Sequence, residues 1–312
     1  EDLLLACFTG GSSALASLPP EGVGFDDKRD LHERLLAAGL PIAEVNTVRK
    51  QVSAFKGGRL ALAAAPAPIV NLTVSDVAGD HLDVLTDPSV EDGSTPEQAR
   101  AILRDAGLWD QVAPSVREFL EGSAAGTPHL SGVEIESTLL VTGRTACDAM
   151  AATAADAGFE PVVLGTALEE EARPLGSLLG ALAAESADRG RPFPRRSVLI
   201  ACGGEAAVRL APGHGFGEGG PNQEVALAAA RRFAGRPVAA AFLDTDGSDG
   251  GMPLAGAVSD GMSAARAAEE DVDIAEALAR HRSGAAIAVL GDGIDTGPTY
   301  TNVNDLLAIA ID

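Results

Sequence analysis

The sequence predicts an α/β fold in two domains, and three observations carry that expectation. Short apolar runs alternate with helical patterns along the whole chain, which implies sheets of strong parallel character covered by helices. The 312 residues suffice for two domains of about 150 residues, each with its own core. The 36 glycines and 18 prolines, beside 46% hydrophobic residues, suit many tight turns between strands and helices. Aromatic residues make up only 4%, so Ala, Val and Leu must fill the cores.

Taken in order, residues 3–8 read as a strand already under way, as though the chain began inside a domain. Residues 28–38 read as a helix stopped by Gly39 and Pro41. A basic helix is expected over residues 46–59. At ~100° per residue Asn46, Arg49, Lys50, Ser53 and Lys56 share one arc, with Val48, Val52 and Phe55 opposite. Residues 69–74 form the next strand. Ser94-Thr95-Pro96-Glu97 has the pattern of a capping box opening a helix that ends at Gly107. The Pro/Ser/Gly-rich passage 121–128 marks the domain boundary, dividing the chain into residues 1–128 and 129–312.

Beyond it, strands are expected at 137–141, 161–164, 198–202 and 238–243. Helices are expected at 145–157 (closed by Gly158), at 168–187 and at 222–233, where Asn222 is a natural N-cap. The apolar runs 285–290 and 306–311 read as two buried strands framing a polar loop.

Charge and composition exclude several functions. A formal net charge of −22 argues against nucleic acid or an anionic membrane as partner. A small anionic substrate stays compatible with it, because a local basic cluster overrides the global field at close range. No apolar run approaches the ~20 residues that span a bilayer. The first residues lack a basic n-region and a cleavage site. Cys7, Cys147 and Cys202 lie far apart without a C-x-x-C spacing, and read as buried reduced thiols of a cytoplasmic protein.

Only Lys28, Lys50 and Lys56 are lysines; every other basic residue is Arg. Two of the three fall in the basic segment, where a compact, movable ammonium suits a phosphate. A solvated helix face is the competing reading.

Four polar segments follow or join strands, where α/β proteins place ligand contacts. Thr9-Gly10-Gly11-Ser12-Ser13 offers backbone N–H groups and hydroxyls to an anion, but it is neither a Walker A loop nor G-x-G-x-x-G. Ser75-Asp76 opens the second segment. Leu243 to Gly251 carries Asp244, Asp246 and Asp249, a spacing able to hold Mg²⁺ or orient hydroxyls, without the closing Glu of a calcium loop. Gly203-Gly204-Glu205 and the Gly-rich run 213–224 lead to the helix at Asn222. Thr296 to Asp305 supplies Thr299, Asn302, Asn304 and Asp305 for ligand contacts in a polar loop between two apolar runs.

In this order the segments resemble the glycerate 2-kinase family, whose C-terminal portion is the MOFRL domain. The resemblance runs through nearly the whole chain. It covers Thr9 to Leu15, Asn46-Thr47-Val48-Arg49-Lys50, Lys56-Gly57-Gly58-Arg59, Ser75 to Asp80, Gly219-Gly220-Pro221-Asn222-Gln223-Glu224, Thr245 to Gly250 and Thr296 to Asp305. It implies a Rossmann-like first domain, incomplete at its N-terminus, with a mainly parallel sheet. The second α/β domain would have a mixed sheet and a MOFRL-like segment at 195–312. It further implies ATP- and Mg²⁺-dependent phosphorylation of D-glycerate at its 2-hydroxyl, in a cleft between the domains.

The implied catalytic residues are Lys50, Lys56, Arg59 and Asp246, with Asp246 and Asp249 as metal ligands. The implied binding residues are Gly10, Gly11, Ser12, Ser13, Asn46, Ser75, Asp76, Gly204, Glu205, Asn222, Gln223, Glu224, Thr299, Asn302 and Asn304. Partners would be a small-molecule substrate and a nucleotide, with homodimerisation open. The chain departs from the family in lacking a Gly-Lys-Ala-Ala element, in Pro221 where the family has Arg, in Thr86-Asp87-Pro88, and in Ser12 for a third Gly. Each change removes positive charge or backbone room. Two alternatives therefore stand beside the kinase: a non-catalytic anion-binding relative and an NAD(P)-dependent hydroxypyruvate reductase. No dinucleotide fingerprint supports the latter.

Overall fold

The computed structural model describes residues 2–76, 88–122, 129–204, 206–208 and 218–312. In chain order come β1 (Leu4–Phe8), α1 (Ser12–Leu15), α2 (Phe25–Ala37), α3 (Ile42–Gln51), α4 (Arg59–Ala64), β2 (Ile69–Val74), α5 (Pro96–Asp105), α6 (Pro114–Gly122) and β3 (Ile135–Val141). There follow α7 (Gly143–Asp156), β4 (Glu160–Leu168), α8 (Ala172–Arg189), β5 (Ser197–Gly203), α9 (Pro221–Phe233), β6 (Val238–Asp244) and β7 (Gly256–Asp260). The last elements are α10 (Ser263–Glu269), α11 (Ile274–Ala279), α12 (Ser283–Leu290), β8 (Gly293–Ile294) and β9 (Asp305–Ile311). They gather into two compact units, one drawn from Glu1–Thr73 and His81–Leu140, the other from Val74–Asp80 and Val141–Asp312.

The first unit has a three-stranded sheet in the order β1-β2-β3. β1 and β2 run parallel, with Leu4 opposite Ile69 and Phe8 opposite Thr73. Its larger core lies among helices. Leu31 and Leu35 of α2, Val45 and Val48 of α3, Ala99 and Leu103 of α5, and Val116 and Leu120 of α6 form one buried cluster. Each pair is three or four residues apart, so each helix buries one stripe.

The second unit is built on a six-stranded sheet in the order β4-β5-β9-β6-β7-β8. β4 and β5 are parallel and the other neighbours antiparallel, so the sheet is mixed and the α/β class is as the sequence led us to expect. Helix α9 is buried from Asn222 to Ala230 and again at Phe233. A helix covered on all sides belongs to the interior, and α8 packs directly on it. Gly176 and Gly180 make that approach possible: a Cβ on Gly176 would sit 2.3 Å from the Val225 carbonyl oxygen, and one on Gly180 2.7 Å from that of Ala229. The Ala-rich core follows from the same close approach.

Several sequence expectations are corrected. The basic segment is not one helix, for α3 ends at Gln51. The Ser53 hydroxyl accepts hydrogen bonds from the backbone N–H groups of Phe55 and Lys56 (3.1 and 3.0 Å). This local bonding competes with helix continuation, and Gly57 and Gly58 then turn the chain at positive φ.

The apolar run 285–290 belongs to helix α12, not a strand, so the polar loop beyond it lies between β8 and β9. The capping box falls one residue later, with Thr95 and Gln98 as the reciprocal pair. The strand expected to stop at 164 runs on through Leu168, delaying α8 to Ala172. Cys7 is exposed, whereas Cys147 and Cys202 are buried free thiols. Most of the expected boundary passage, 123–128, lies outside the described residues.

Candidate functional site

All three lysines are buried in the first unit, and they divide into two groups. Lys50, on α3, makes a 2.7 Å ion pair with Asp92. Asp92 also accepts from Gln51 Nε2 and from the Ser94 N–H and hydroxyl. Arg59 Nη1 donates to the Lys50 and Lys56 carbonyls (3.0 and 2.9 Å), pinning the turn between α3 and α4. Lys50 and Arg59, expected to meet phosphate, thus hold the protein's own groups. Asn46 is buried on α3, accepts from Arg49 Nη1 at 3.0 Å, and lines a cavity with Lys50 and Asp92.

Lys56 stands apart from that pair. Its Nζ donates to the Ala16 carbonyl at 3.1 Å, and Lys28 Nζ donates to the Leu18 carbonyl at 3.0 Å. Burial, then the charges of Arg49 and Lys28, lower the Lys56 amine to about 7. Burial, then Arg49 and Arg59, lower Lys28 to about 8. His32 is lowered by burial and by Arg49, Lys56 and Lys28. The sequence puts Arg49 on one arc with Lys56, but it does not join Lys28 or His32 to them. The signal was available, since Lys28 is the third of the retained lysines and α2 brings His32 one turn from it.

At the end of β1, Gly10 and Gly11 form a turn in which Gly11 takes the left-handed conformation (φ 78°). The Ser12 N–H donates to the Thr9 carbonyl at 3.1 Å, and its hydroxyl turns to the same oxygen. Ser13 is the second residue of α1.

In the second unit the polar segments do converge. Asp249 sits under the N-terminus of α9: Oδ1 accepts from the Asn222 N–H (2.9 Å) and side-chain amide, and Oδ2 from the Gln223 N–H (3.0 Å) and side-chain amide. Burial pushes its carboxyl up against these four bonds. Asn222 is therefore not the N-cap. Pro221 takes the first helical position, Gly220 caps with no side-chain bond, and the remote carboxylate satisfies the orphan donors. That carboxylate also occupies the end of the helix where an anion would otherwise settle.

Asp305 accepts from Asn222 Nδ2 at 2.6 Å and from the Ala206 N–H at 2.8 Å. Burial first, with Asp244 and Asp249 nearby, raises its carboxyl to about 7. Asp246 accepts from the Ser248 N–H at 2.7 Å, and its carbonyl from the Thr299 N–H at 3.2 Å. Thr299 Oγ1 bonds the Thr245 carbonyl, and Asn302 Oδ1 accepts from the Asn304 N–H at 2.7 Å. Asn304, at positive φ (61°), reaches the Asp76 carbonyl with its side-chain amide. The Ser75 N–H is held by the Val141 carbonyl at 2.9 Å.

A cavity of about 260 Å³ is lined by Asp244, Asp246, Asp249, Asn222 and Asp305 among others. Gly204 abuts the Glu169 side chain; Glu205 lies outside the described residues. Glu224, expected to bind ligand, instead accepts from Arg173 (3.1 Å) and pairs with His281 (3.1 Å) inside the unit.

Among the described residues no group of three or more His, Cys, Asp or Glu side chains is arranged to hold a metal. Both oxygens of Asp249 are taken by N–H donors, so it does not fit the expected role of metal ligand. Among the same residues no helix is long and apolar enough to cross a membrane.

Two α/β units with buried cations in one and converging strand-end loops in the other have the parts of a small-molecule phosphotransferase. Two family profiles match the chain: "Domain of unknown function (DUF4147)" over residues 1–121 and "MOFRL family" over residues 198–305. The glycerate 2-kinase of Pyrococcus horikoshii is 38% identical over 311 residues, covering 98% of this chain and 70% of that one. A relative from Agrobacterium vitis, 40% identical over 100% of this chain and 70% of its own, bears a provisional hydroxypyruvate reductase label. The crystal structure of glycerate kinase from Thermotoga maritima superposes with a TM-score of 0.87 at 37% identity, over 100% of this chain and 73% of that one. The chain belongs to the glycerate 2-kinase family of enzymes.

Proposed function

We propose that this chain transfers the γ-phosphoryl group of ATP to the 2-hydroxyl of D-glycerate, giving 2-phosphoglycerate. The observation that carries the reading is the extent of likeness to named glycerate kinases, 38% identity over 98% of the chain. The chemistry agrees with it. Phosphoryl transfer asks for positioning and charge neutralisation more than for covalent steps. In the first unit Lys56 is the cation we assign to phosphoryl charge.

In the second unit Asp246 and Asp305 line the 260 Å³ cavity, and a carboxyl near 7 is suited to accept a hydroxyl proton. Thr299, Asn302 and Asn304 shape the loop beside them. The nucleotide would bring Mg²⁺ on its own phosphates, as this ion commonly binds with few protein ligands; no step here depends on it. The buried free thiols of Cys147 and Cys202 accord with a cytoplasmic setting.

The test is a coupled assay with ATP and D-glycerate in which enolase, without a mutase, consumes the product. Signal through enolase alone is expected, because only 2-phosphoglycerate is its substrate. Folded protein that releases no ADP with glycerate would refute the kinase reading in favour of the anion-binding relative. Oxidation of NADH by hydroxypyruvate would favour the reductase.

A further inference from the structure

We propose that the cavity between α2 and α3 is a binding site for a phosphoryl group, with Lys28, Arg49 and Lys56 as its ligands. The cavity measures about 130 Å³. Helix α2 contributes Lys28, Arg29 and His32, helix α3 contributes Arg49, the turn after α3 contributes Lys56, and Ser17 adds a hydroxyl. Among the described lining residues none is acidic. Leu31, Leu35 and Val52 supply an apolar floor, and apolar walls strengthen any charge interaction inside them.

Both ammonium groups are anchored on one short stretch of backbone, Lys56 on Ala16 and Lys28 on Leu18, which holds them near each other. Arg49 adds a planar guanidinium, a group suited to phosphoryl oxygens, with its Nη1 held by Asn46 Oδ1 at 3.0 Å. Three cations brought together at a half-apolar cavity repel one another, and a dianion relieves that repulsion.

The choice of lysine here has a physical reason. Apart from Lys50, which is paired with Asp92, every other Lys/Arg position of the chain holds Arg; a guanidinium stays charged when buried, whereas an ammonium can shed its proton. The Lys56 and Lys28 amines lie near 7 and 8. Around them stand Arg29 and His32 from α2, Arg49 from α3, and Arg59 at the start of α4, and the Glu33 charge acts on His32. A phosphoryl dianion would raise both amines and His32, so binding at pH 7.5 takes up protons. The site rests on the kinase reading only for which phosphorylated molecule fills it.

Isothermal titration at pH 7.5, in two buffers of different ionisation enthalpy, tests it with ATP, 2-phosphoglycerate and inorganic phosphate as separate probes. The proteins are the wild type, Lys28→Met and Arg49→Gln, each checked for native circular dichroism. At least one probe should bind the wild type with net proton uptake. Each substitution should weaken that probe at least tenfold, and Lys28→Met should cut the uptake.

Weakening confined to ATP assigns the cavity to the donor, weakening confined to 2-phosphoglycerate to the product, and weakening of all three to a bare phosphate site. No binding by the wild type, binding without proton uptake, or variants within twofold of the wild type would each overturn the site. Should Lys28→Met misfold, the half-buried Arg49→Gln and the wild-type proton count still decide. Proton-linked binding without turnover of D-glycerate would sink the kinase reading and leave this one standing.

Discussion

Lys56 places a whole ammonium side chain at 2% exposure, and its stability cost should be measurable. Burial holds the folded-state amine near 7 against an ordinary 10.5. Above pH 10.5 the amine is neutral folded or unfolded, and the group has no effect. Between 10.5 and 7 the unfolded chain binds the proton and the folded chain does not, so stability falls as pH falls and the loss is complete below 7. Lys56→Met replaces the charge by an apolar side chain of similar length, a change that is commonly neutral or stabilising. The variant should exceed the wild type by roughly 2 kcal/mol at pH 7. The gap should narrow at pH 9.5, as read by urea unfolding at both values. A gap that ignores pH would mean that Lys56 is charged in the fold across the whole window.

Among the elements, the pairing of α8 with α9 depends most on single atoms. Gly176→Ala would drive its methyl to 2.3 Å from the Val225 carbonyl, which is backbone and cannot step aside. Overpacking of this kind costs about 1–3 kcal/mol, whereas Gly122→Ala, with open space around it, should leave the thermal midpoint almost unchanged. Equal midpoints for the two variants would show that α8 slides freely on α9. Elements with a clear period were legible in the sequence: β2 alternates buried and half-buried residues, and the helix starting near Asn222 has its Pro at the first position. Ala285 to Leu290 was not legible, because an all-apolar run of six carries no period to separate strand from helix. The Gly291 that ends α12 in the left-handed conformation was the better sign. The site was legible as motifs, not as contacts. Nothing in Asp249's local sequence says that it reaches back to cap α9, since that bond exists only once β6 and α9 have packed.

At the scale of the whole molecule, a net charge of −22 accompanies the phosphoryl site proposed between α2 and α3. The two fields differ in range. The global repulsion acts across distances beyond the Debye length, which is about 30 Å at 0.01 M salt and about 8 Å at 0.15 M. The attraction of Lys28, Arg49 and Lys56 acts at contact, in a partly buried place that salt screens less. Raising ionic strength over that range should therefore remove the repulsion first, and the association rate of ATP should rise, opposite to the usual behaviour of electrostatically steered binding. The dissociation rate should change less, since it reports the contacts. Stopped-flow measurements with a fluorescent ATP analogue at fixed pH and increasing NaCl would record both rates. An association rate that falls steadily from the lowest salt would show that the basic cluster already governs the approach, and that the acidic surface lies too far from the ligand's path to oppose it.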